Sequence, residues 1–313
     1  MPSSRLLRSP LSLNRRHILA ASLLLGAAAW LPSTARANTP TTAYTVVEAV
    51  QVPAWVERNG DRRAAEPGQR LRAGDVAVTA SGSRAVLRLS DSSLVKLGED
   101  TELALQKLES SRQGGQDQMS GKFRLVTGVF RYATDYRSKA LGVSRDVSLQ
   151  TATATVGVRS TDFWAMSDAE HDAVCVFEGA VAVERDGRDT IALNQPGAFW
   201  VVFTGQPEQP AGQATPAQLN KFIAQGDLQP GSGVLVQGGQ WRTVVATFPR
   251  LAEAEALRQR LQKAGYPAQI NRSARGHEVR VQQLATRQDA EALLRKLQAD
   301  PALGAAQGRV EGA

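Results

Sequence analysis

The stretch from Leu149 to Val183 constrains the fold more than any other part of the chain. It contains two segments rich in Thr, Val and Phe, residues 151–163 and 173–183, which suit the pleated surface of a strand. The polar residues Ser167–Glu170 separate the segments, so an antiparallel strand pair is the simplest interpretation. Gly179 lies inside the second segment and predicts a bulge or a close backbone approach there.

The same pattern of short β segments and turns extends over residues 44–203. The segments recur every 8–12 residues or so, which is typical of an all-β sandwich or a barrel-like domain. We interpret the polar stretch Ser110–Ser120 as a loop. Strands are predicted at Thr45–Val52, Ala54–Arg58, Val76–Thr79, Arg84–Leu89, Ser93–Leu97, Thr101–Leu105, Phe123–Phe130 and Ala192–Phe203.

Motifs in this region, taken in order, resemble the FecR family. Gly74-Asp75 precedes a strand, and Ser92 stands at a turn where the family usually has glycine. The central motif residues are Gly157, Arg159, Thr161, Asp162 and Phe163, followed by Gly179. The resemblance covers residues 50–200 and implies a β domain that acts through partners.

The FecR resemblance leaves two roles open. The best-known FecR proteins, regulators of ferric-siderophore uptake, carry a cytoplasmic sigma-factor-controlling domain and a membrane helix before this domain. Here a targeting segment directly precedes it. The resemblance therefore implies a stand-alone domain that binds or scaffolds a periplasmic or membrane protein partner. The alternative is a periplasmic signalling or regulatory FecR-type sensor.

Residues 1–37 have the three-part layout of an export signal. Arg15 and Arg16 lie in a basic start, Ile18–Leu31 is an apolar run, and Ala35 and Ala37 have the spacing of a cleavage site. The run is shorter than the roughly 20 residues that span a bilayer. We expect a twin-arginine-like signal peptide, cleavage after Ala37 and a periplasmic protein. A general secretory signal and an uncleaved anchor are the alternatives.

Charge and reactive side chains narrow the function classes. Residues 1–37 hold five arginines and no acid, so the other residues carry only +2 of the net +7 and give no case for nucleic-acid binding. His171 and His277 have no partner at metal-ligand spacing, and phosphate-binding and nucleophile motifs are missing from the sequence. Cys175 lies in an apolar segment and is expected to be buried. We expect no cofactor, no metal and no enzymatic activity; a peptidoglycan-cleaving enzyme is the weakest alternative.

Residues 205–240 are rich in Pro, Gly and Gln and predict an extended linker. A repeat with an offset of 36 residues follows, in which residues 254–262 match residues 290–298. Leu257 and Leu261 lie at helical spacing, and Gly265 is a suitable helix stop. The repeat predicts a βαββαβ unit with a split βαβ pattern.

This terminal unit resembles a SPOR domain. Trp241–Phe248, Ala254–Gly265 and Glu278–Leu284 carry the match. SPOR domains bind peptidoglycan glycan strands stripped of their stem peptides, so the resemblance implies the same ligand here.

A binding face follows from strand alternation. The helices cover one side of the sheet, so alternate strand residues point away from them. Thr243, Val245, Val279 and Val281 are expected to point inward. The glycan-binding candidates are Trp241, Arg242, Val244, Arg280 and Gln282, with Trp241 or Tyr266 stacking on a sugar. The alternative is that the arginines are merely solvated.

The predicted organisation is therefore multidomain. A signal peptide (1–37) precedes an all-β FecR-like domain (38–204), a linker (205–240) and a small α+β SPOR-like domain of βαββαβ type (241–313).

Overall fold

The computed structural model describes residues 41–113, 116–135, 140, 144–305 and 307–312. The predicted signal residues Arg15, Arg16, Ala35 and Ala37 lie outside this range. The first part of the described chain is built of strands. They are β1 (Thr41–Thr42), β2 (Thr45–Gln51), β3 (Ala54–Arg58), β4 (Asp61–Ala64), β5 (Arg70–Leu71), β6 (Val76–Thr79), β7 (Arg84–Arg88), β8 (Leu94–Leu97), β9 (Glu102–Gln113), β10 (Gln116–Ala133), β11 (Ser144–Gln150), β12 (Thr155–Ser167), β13 (His171–Glu184), β14 (Ile191–Leu193), β15 (Ala198–Phe203) and β16 (Gly212–Gln213).

Helices appear in the second part. Its elements are α1 (Pro216–Gly226), β17 (Val234–Val236), β18 (Trp241–Phe248), α2 (Leu251–Lys263), β19 (Ala268–Ser273), β20 (Gly276–Leu284), α3 (Arg287–Ala299), a 3-10 turn (Pro301–Leu303) and β21 (Arg309–Gly312).

Most of the strands β1–β16 follow two sheet paths that share long strands, while β1 pairs with β9 and β5 with β2. One path runs β2–β7–β8–β10–β12–β13–β15–β16. The other runs β4–β3–β6–β9–β10–β11–β12–β13–β14. In each of β10, β12 and β13, the first and second halves of the strand pair with different neighbours. These three strands therefore join the two paths around one apolar core. The all-β, sandwich-like prediction is confirmed.

The strand pair β12–β13 is antiparallel, as the sequence predicted, with its turn at residues 168–170. The pairing has two register irregularities, between Arg159 and Asp162 and between Asp162 and Phe163. Gly179 has φ +82°, the left-handed conformation that glycine adopts without strain. The bulge predicted near Gly179 is therefore present, and it bends both strands where they pass from one sheet path to the other.

Two predictions about loops and strands are wrong. Residues 110–120 are not a loop, because β9 and β10 continue as a paired ribbon through most of this stretch. The side chains of this stretch are mostly polar. Strand prediction from the spacing of apolar residues needs an apolar face, so it did not detect this ribbon. Residues 192–203 form two strands rather than one, because Gly197 turns the chain with φ +83°.

The extended linker expected over residues 205–240 is also wrong. Helix α1 begins with a capping box at Thr215 and packs Phe222 against Trp164, with ring centroids 4.1 Å apart. Lys96 fixes the helix end by an ion pair of 2.6 Å with Asp227. Composition indicated a polar, proline-rich tether, but two aromatic contacts and an ion pair bind the segment to the β domain.

The last part of the described chain is the predicted βαββαβ unit. Its strands are antiparallel and lie in the order β19–β20–β18–β21. Helix α2 buries Leu257 and Leu261, and α3 buries Leu293 and Leu297, all 0% exposed. The helical spacing read from the repeat is confirmed.

Strand β17 joins the two sheets. It pairs with β2 through Leu235 and Val50, and Leu235 also pairs with Leu284 of β20. Residues 38–313 form one compact unit, so the two domains are packed together rather than tethered. Among the described residues, the helices are too short or too polar to cross a bilayer.

Candidate functional site

The strand register of the βαββαβ sheet places one set of side chains on the face opposite the helices. Arg280 pairs with Val244 on one side and with Gln269 on the other, and Val244 also pairs with Arg309. Directly paired residues point to the same side of a sheet. Alternation along each strand completes this outer face, which consists of Arg242, Val244, Gln269, Asn271, Glu278, Arg280, Gln282, Arg309 and Glu311.

Four charged side chains of the outer face form a chain of ion pairs. Glu311 accepts hydrogen bonds from Arg242 at 3.0 Å and from Arg309 at 2.8 Å, and Arg309 also donates to Glu278 at 2.7 Å. Burial acts to raise the pKa of Glu311, but these arginine bonds outweigh it and hold the pKa below its usual value. The pKa of Arg309 is raised because its two carboxylate bonds outweigh burial. These four groups are therefore already neutralised by each other.

Arg280 differs from the other two arginines of the outer face. Within the described part of the chain it makes no ion pair, and its Nε donates to the Asn271 amide oxygen at 2.7 Å. Burial, together with the positive charge of Arg242, lowers the pKa of Arg280 from its ordinary value. A guanidinium has five N–H donors, so Arg280 keeps donors for a ligand and adds one positive charge to the four paired groups of the outer face.

The prediction that Val244 contacts the glycan is wrong. It lies on the outer face, but it is 0% exposed. Its strand neighbours Arg280 and Arg309 carry long side chains, whose apolar stems cover such a residue. Thr243, Val245, Val279 and Val281 are also 0% exposed. Val244 therefore supports the arginines and offers no surface to a glycan.

The two aromatic candidates face the core. Trp241 pairs with the fully buried Leu284 and packs, half-buried, against the main core cluster. Tyr266 is 7% exposed in the same cluster. Neither ring lies on the outer face. The prediction that Trp241 or Tyr266 stacks on a sugar is therefore wrong. Arg242, Arg280 and Gln282 are brought together, and Gln282 donates a 2.9 Å hydrogen bond to Gln269.

The FecR motif residues occupy the bend of β12 and β13. Phe163 and Thr161 are 0% exposed, and the Thr161 carbonyl accepts a hydrogen bond of 2.9 Å from the Thr134 hydroxyl. Gly157 lies in β12 opposite Ala182 of β13. Arg159 also lies in β12, opposite Ala180. The motif therefore shapes the crossing between the two sheet paths.

Asp162 makes a two-pronged ion pair with Arg131 of β10, at 2.9 and 2.7 Å. This contact is possible because β10 and β12 are neighbours in the sheet. Arg131 also lies 3.6 Å from Asp227 at the end of α1. Its charged hydrogen bonds outweigh burial and raise the pKa of Arg131. Arg131 thus connects the FecR aspartate to the end of α1.

The cysteine and the potential metal ligands of the described residues do not form a reactive site. Cys175 is 0% exposed, and burial raises the pKa of its thiol to about 12, as expected for an inert core residue. Within the described ranges, no group of three His, Cys, Asp or Glu side chains has the arrangement of a metal site.

Sequence reasoning missed the acids of the outer face. Glu278 lies two residues before Arg280, and Glu311 two residues after Arg309, so period-two alternation alone puts each acid on its arginine's face. The pairing across β18 and β21 needed the register. The sequence shows an excess of basic residues in this domain, but it does not show that Glu278 and Glu311 form ion pairs with Arg309 and Arg242.

Comparisons with known proteins match both regions of the chain. The family model described as FecR protein matches residues 75–182, and the model described as SPOR domain matches residues 237–304. The search of curated proteins found no match.

Two crystal structures of a candidate anti-sigma factor from Parabacteroides distasonis ATCC 8503, at 1.65 and 2.50 Å, are similar at 15% identity. Each alignment covers 72% of this chain and 90% of the other, with a TM-score of 0.36.

Proposed function

We propose that this chain, which carries a FecR domain followed by a SPOR domain, is a non-enzymatic envelope protein that binds peptidoglycan glycan strands. The outer face of the SPOR sheet is the binding surface. Arg280 is the observation that carries the proposal, because its charge is not neutralised by an ion pair among the described residues.

The chemistry of a stripped glycan strand suits this face. Such a strand is polyhydroxylated and carries free carboxylates where the stem peptides were attached. Arg280 supplies a charged donor set for a carboxylate, and Gln282 and Asn271 supply amide groups for hydroxyls. The Arg242–Glu311–Arg309–Glu278 chain holds the surrounding side chains in place.

Binding to stripped and intact peptidoglycan tests the proposal. Purified full chain is mixed with glycan strands whose stem peptides have been removed by an amidase, and with untreated sacculi. The proposal requires clearly tighter binding to the stripped strands. Equal binding to both materials, or no binding to either, contradicts it.

In this proposal the FecR domain binds or scaffolds a periplasmic partner. A regulatory sensor is the second candidate, and the FecR match over residues 75–182 favours it. Cross-linking of the full chain in living cells separates the two. A linked membrane receptor or transporter supports a sensor, whereas linked cell-wall proteins support a scaffold.

Export completes the proposal. The twin-arginine-like segment directs the chain to the periplasm, and signal peptidase cuts after Ala37. Amino-terminal sequencing of the protein from the periplasmic fraction is the test. A sequence starting at Asn38 agrees with it, and an intact start in the cytosolic fraction contradicts it.

A further inference from the structure

A cleft of about 200 Å³ lies where the FecR domain meets the outer face of the SPOR sheet. Its volume corresponds to roughly six or seven water molecules at about 30 Å³ each. That is less than a complete ligand pocket, so the cleft suits one part of a longer ligand. The lining comes from both domains: Glu66 and Pro67, then Leu235, and then Pro267, Gln269, Gln282 and Gln283.

Two glutamines make the cleft continuous with the outer face. Gln269 is the strand partner of Arg280, and Gln282 bonds to Gln269 at 2.9 Å. That bond uses one donor and one acceptor, so each amide retains a group for a further partner. A chain bound at Arg280 that continues along this sheet edge enters the cleft.

Glu66 brings a carboxylate from the FecR side. Its backbone N–H donates to the Gln69 side chain at 3.2 Å, and its carbonyl accepts from the Gln69 N–H at 3.0 Å. These bonds hold the turn and do not involve the carboxylate. Among the described residues, that carboxylate has no hydrogen bond or ion pair, although Glu66 is half-buried. It is a strong acceptor without a partner, and Glu66 is one of the residues that line the cleft.

The two sides of the cleft are held in register with each other. Strand β17 pairs with both domains through Leu235, and the Lys296 ammonium donates to the Val52 carbonyl at 3.2 Å. On the far side of the junction the Trp55 indole N–H donates to the Lys263 carbonyl at 2.9 Å. Glu66 and Gln282 therefore face one ligand as parts of one rigid surface.

The lining matches a saccharide in particular. Sugar rings present hydroxyl and amide groups at their edges and C–H groups on their faces. Glutamine amides and the Glu66 carboxylate suit the edges; Pro67 and Pro267 are buried, so the exposed lining is mostly polar. With one carboxylate and no basic residue in its lining, the cleft does not suit an anion.

We infer that the glycan site is composite. One saccharide unit of the strand bound at Arg280 enters the cleft, where Glu66 of the FecR domain accepts hydrogen bonds from its hydroxyl or amide groups. This inference rests on the proposed function of the outer face. It makes the FecR domain part of the glycan-binding surface.

Alanine variants of the full chain test the composite site, with stripped glycan strands as the probe. Glu66→Ala removes the acceptor, Glu57→Ala removes a half-buried acid of β3 that does not line the cleft, and Arg280→Ala removes the central donor. We expect Glu66→Ala to raise Kd about tenfold, the size of one charged hydrogen bond. Glu57→Ala should stay within about twofold of wild type on the same scale.

The outcomes separate the inference from the proposed function. If Arg280→Ala abolishes binding and Glu66→Ala binds like wild type, the composite site is overturned and the outer face stands. If Glu66→Ala and Glu57→Ala weaken binding equally, a general charge effect replaces the composite site. If wild-type protein does not bind stripped strands, both proposals fall.

Discussion

Trp55 of the FecR-side hairpin and Gly265 after helix α2 are in closer contact than any side chain at position 265 would allow. A Cβ on Gly265 would lie 2.7 Å from the Trp55 ring and 2.9 Å from Pro53. Gly265 also has φ +84°, and its carbonyl accepts a hydrogen bond of 3.1 Å from the Ala54 N–H. This glycine ends a SPOR helix and forms the junction between the domains.

Gly265→Ala should destabilise the protein through both roles. A left-handed alanine costs about 1–3 kcal/mol, and overpacking against Trp55 adds about 1–3 kcal/mol. Gly304→Ala is the matched control, because Gly304 has φ +67° but its nearest neighbour, Leu257, would lie at an ordinary 3.4 Å. Denaturant unfolding measures both, and equal losses of unfolding free energy would contradict a tightly packed junction.

Asp289 should contribute more stability than a helix cap alone. Its Oδ1 accepts hydrogen bonds from the N–H groups of Gly231, Gly233 and Val234 at 2.8–3.1 Å, and the residue is 0% exposed. Asp289→Ala leaves three donors, two of them buried, without their charged acceptor, and we expect a loss of at least about 2 kcal/mol in unfolding free energy. Asp300→Ala, which removes one exposed cap bond to Ala302, should cost about 1 kcal/mol or less. Similar costs for the two variants would show that the segment before β17 is not held by Asp289.

The FecR aspartate should behave as a structural residue. The Arg131–Asp162 pair has side chains only 13% and 20% exposed, whereas the Arg63–Asp61 pair has 75% and 59%. Asp162→Ala leaves Arg131 half-buried and poorly paired, so we expect a loss of about 2 kcal/mol, between exposed and buried pairs. Asp61→Ala should cost about 0.5 kcal/mol or less. Thermal or urea unfolding measures the loss of stability in both variants. An Asp162→Ala protein as stable as wild type would point instead to a role of Asp162 in partner binding.

The Cys175 thiol should be unreactive in the folded protein. It is 0% exposed, and burial raises its pKa to about 12, so little thiolate forms at about pH 8. A thiol reagent such as DTNB should label the native chain slowly and the urea-unfolded chain at once. Ser81→Cys, which adds a thiol at an exposed turn, is the control for reagent access. Rapid labelling of native wild-type protein would mean that β13 opens readily.

Local patterns predicted most of the fold. Two segments rich in Thr, Val and Phe around a polar break located the β12–β13 pair, and the 36-residue repeat located α2 and α3, because burial on one helix face leaves a direct trace in the sequence. The register could not be predicted in the same way. Arg131 and Asp162 are far apart in sequence, and their contact depends on β10 and β12 being neighbours.

Part of the candidate binding site could also be predicted from local patterns. Arg242, Arg280 and Gln282 follow from alternation along single strands. The burial of Val244 and the compensation of Arg242 by Glu311 depend on which strands lie side by side. The docking of residues 205–240 escaped prediction because a few specific contacts, such as Phe222 on Trp164, outweighed an average composition typical of linkers.

Binding of stripped glycan strands by Arg280→Ala and Arg272→Ala proteins tests whether the outer face of the SPOR sheet is the glycan-binding surface. Both variants lose one arginine from the β19–β20 pair, but Arg272 lies exposed, one residue beyond the outer-face Asn271 and so on the opposite side of its strand. We expect Arg280→Ala to lose at least about tenfold in affinity, as removal of a charged hydrogen-bond donor should, while Arg272→Ala binds like wild type. Equal affinities for the two variants would contradict this expectation.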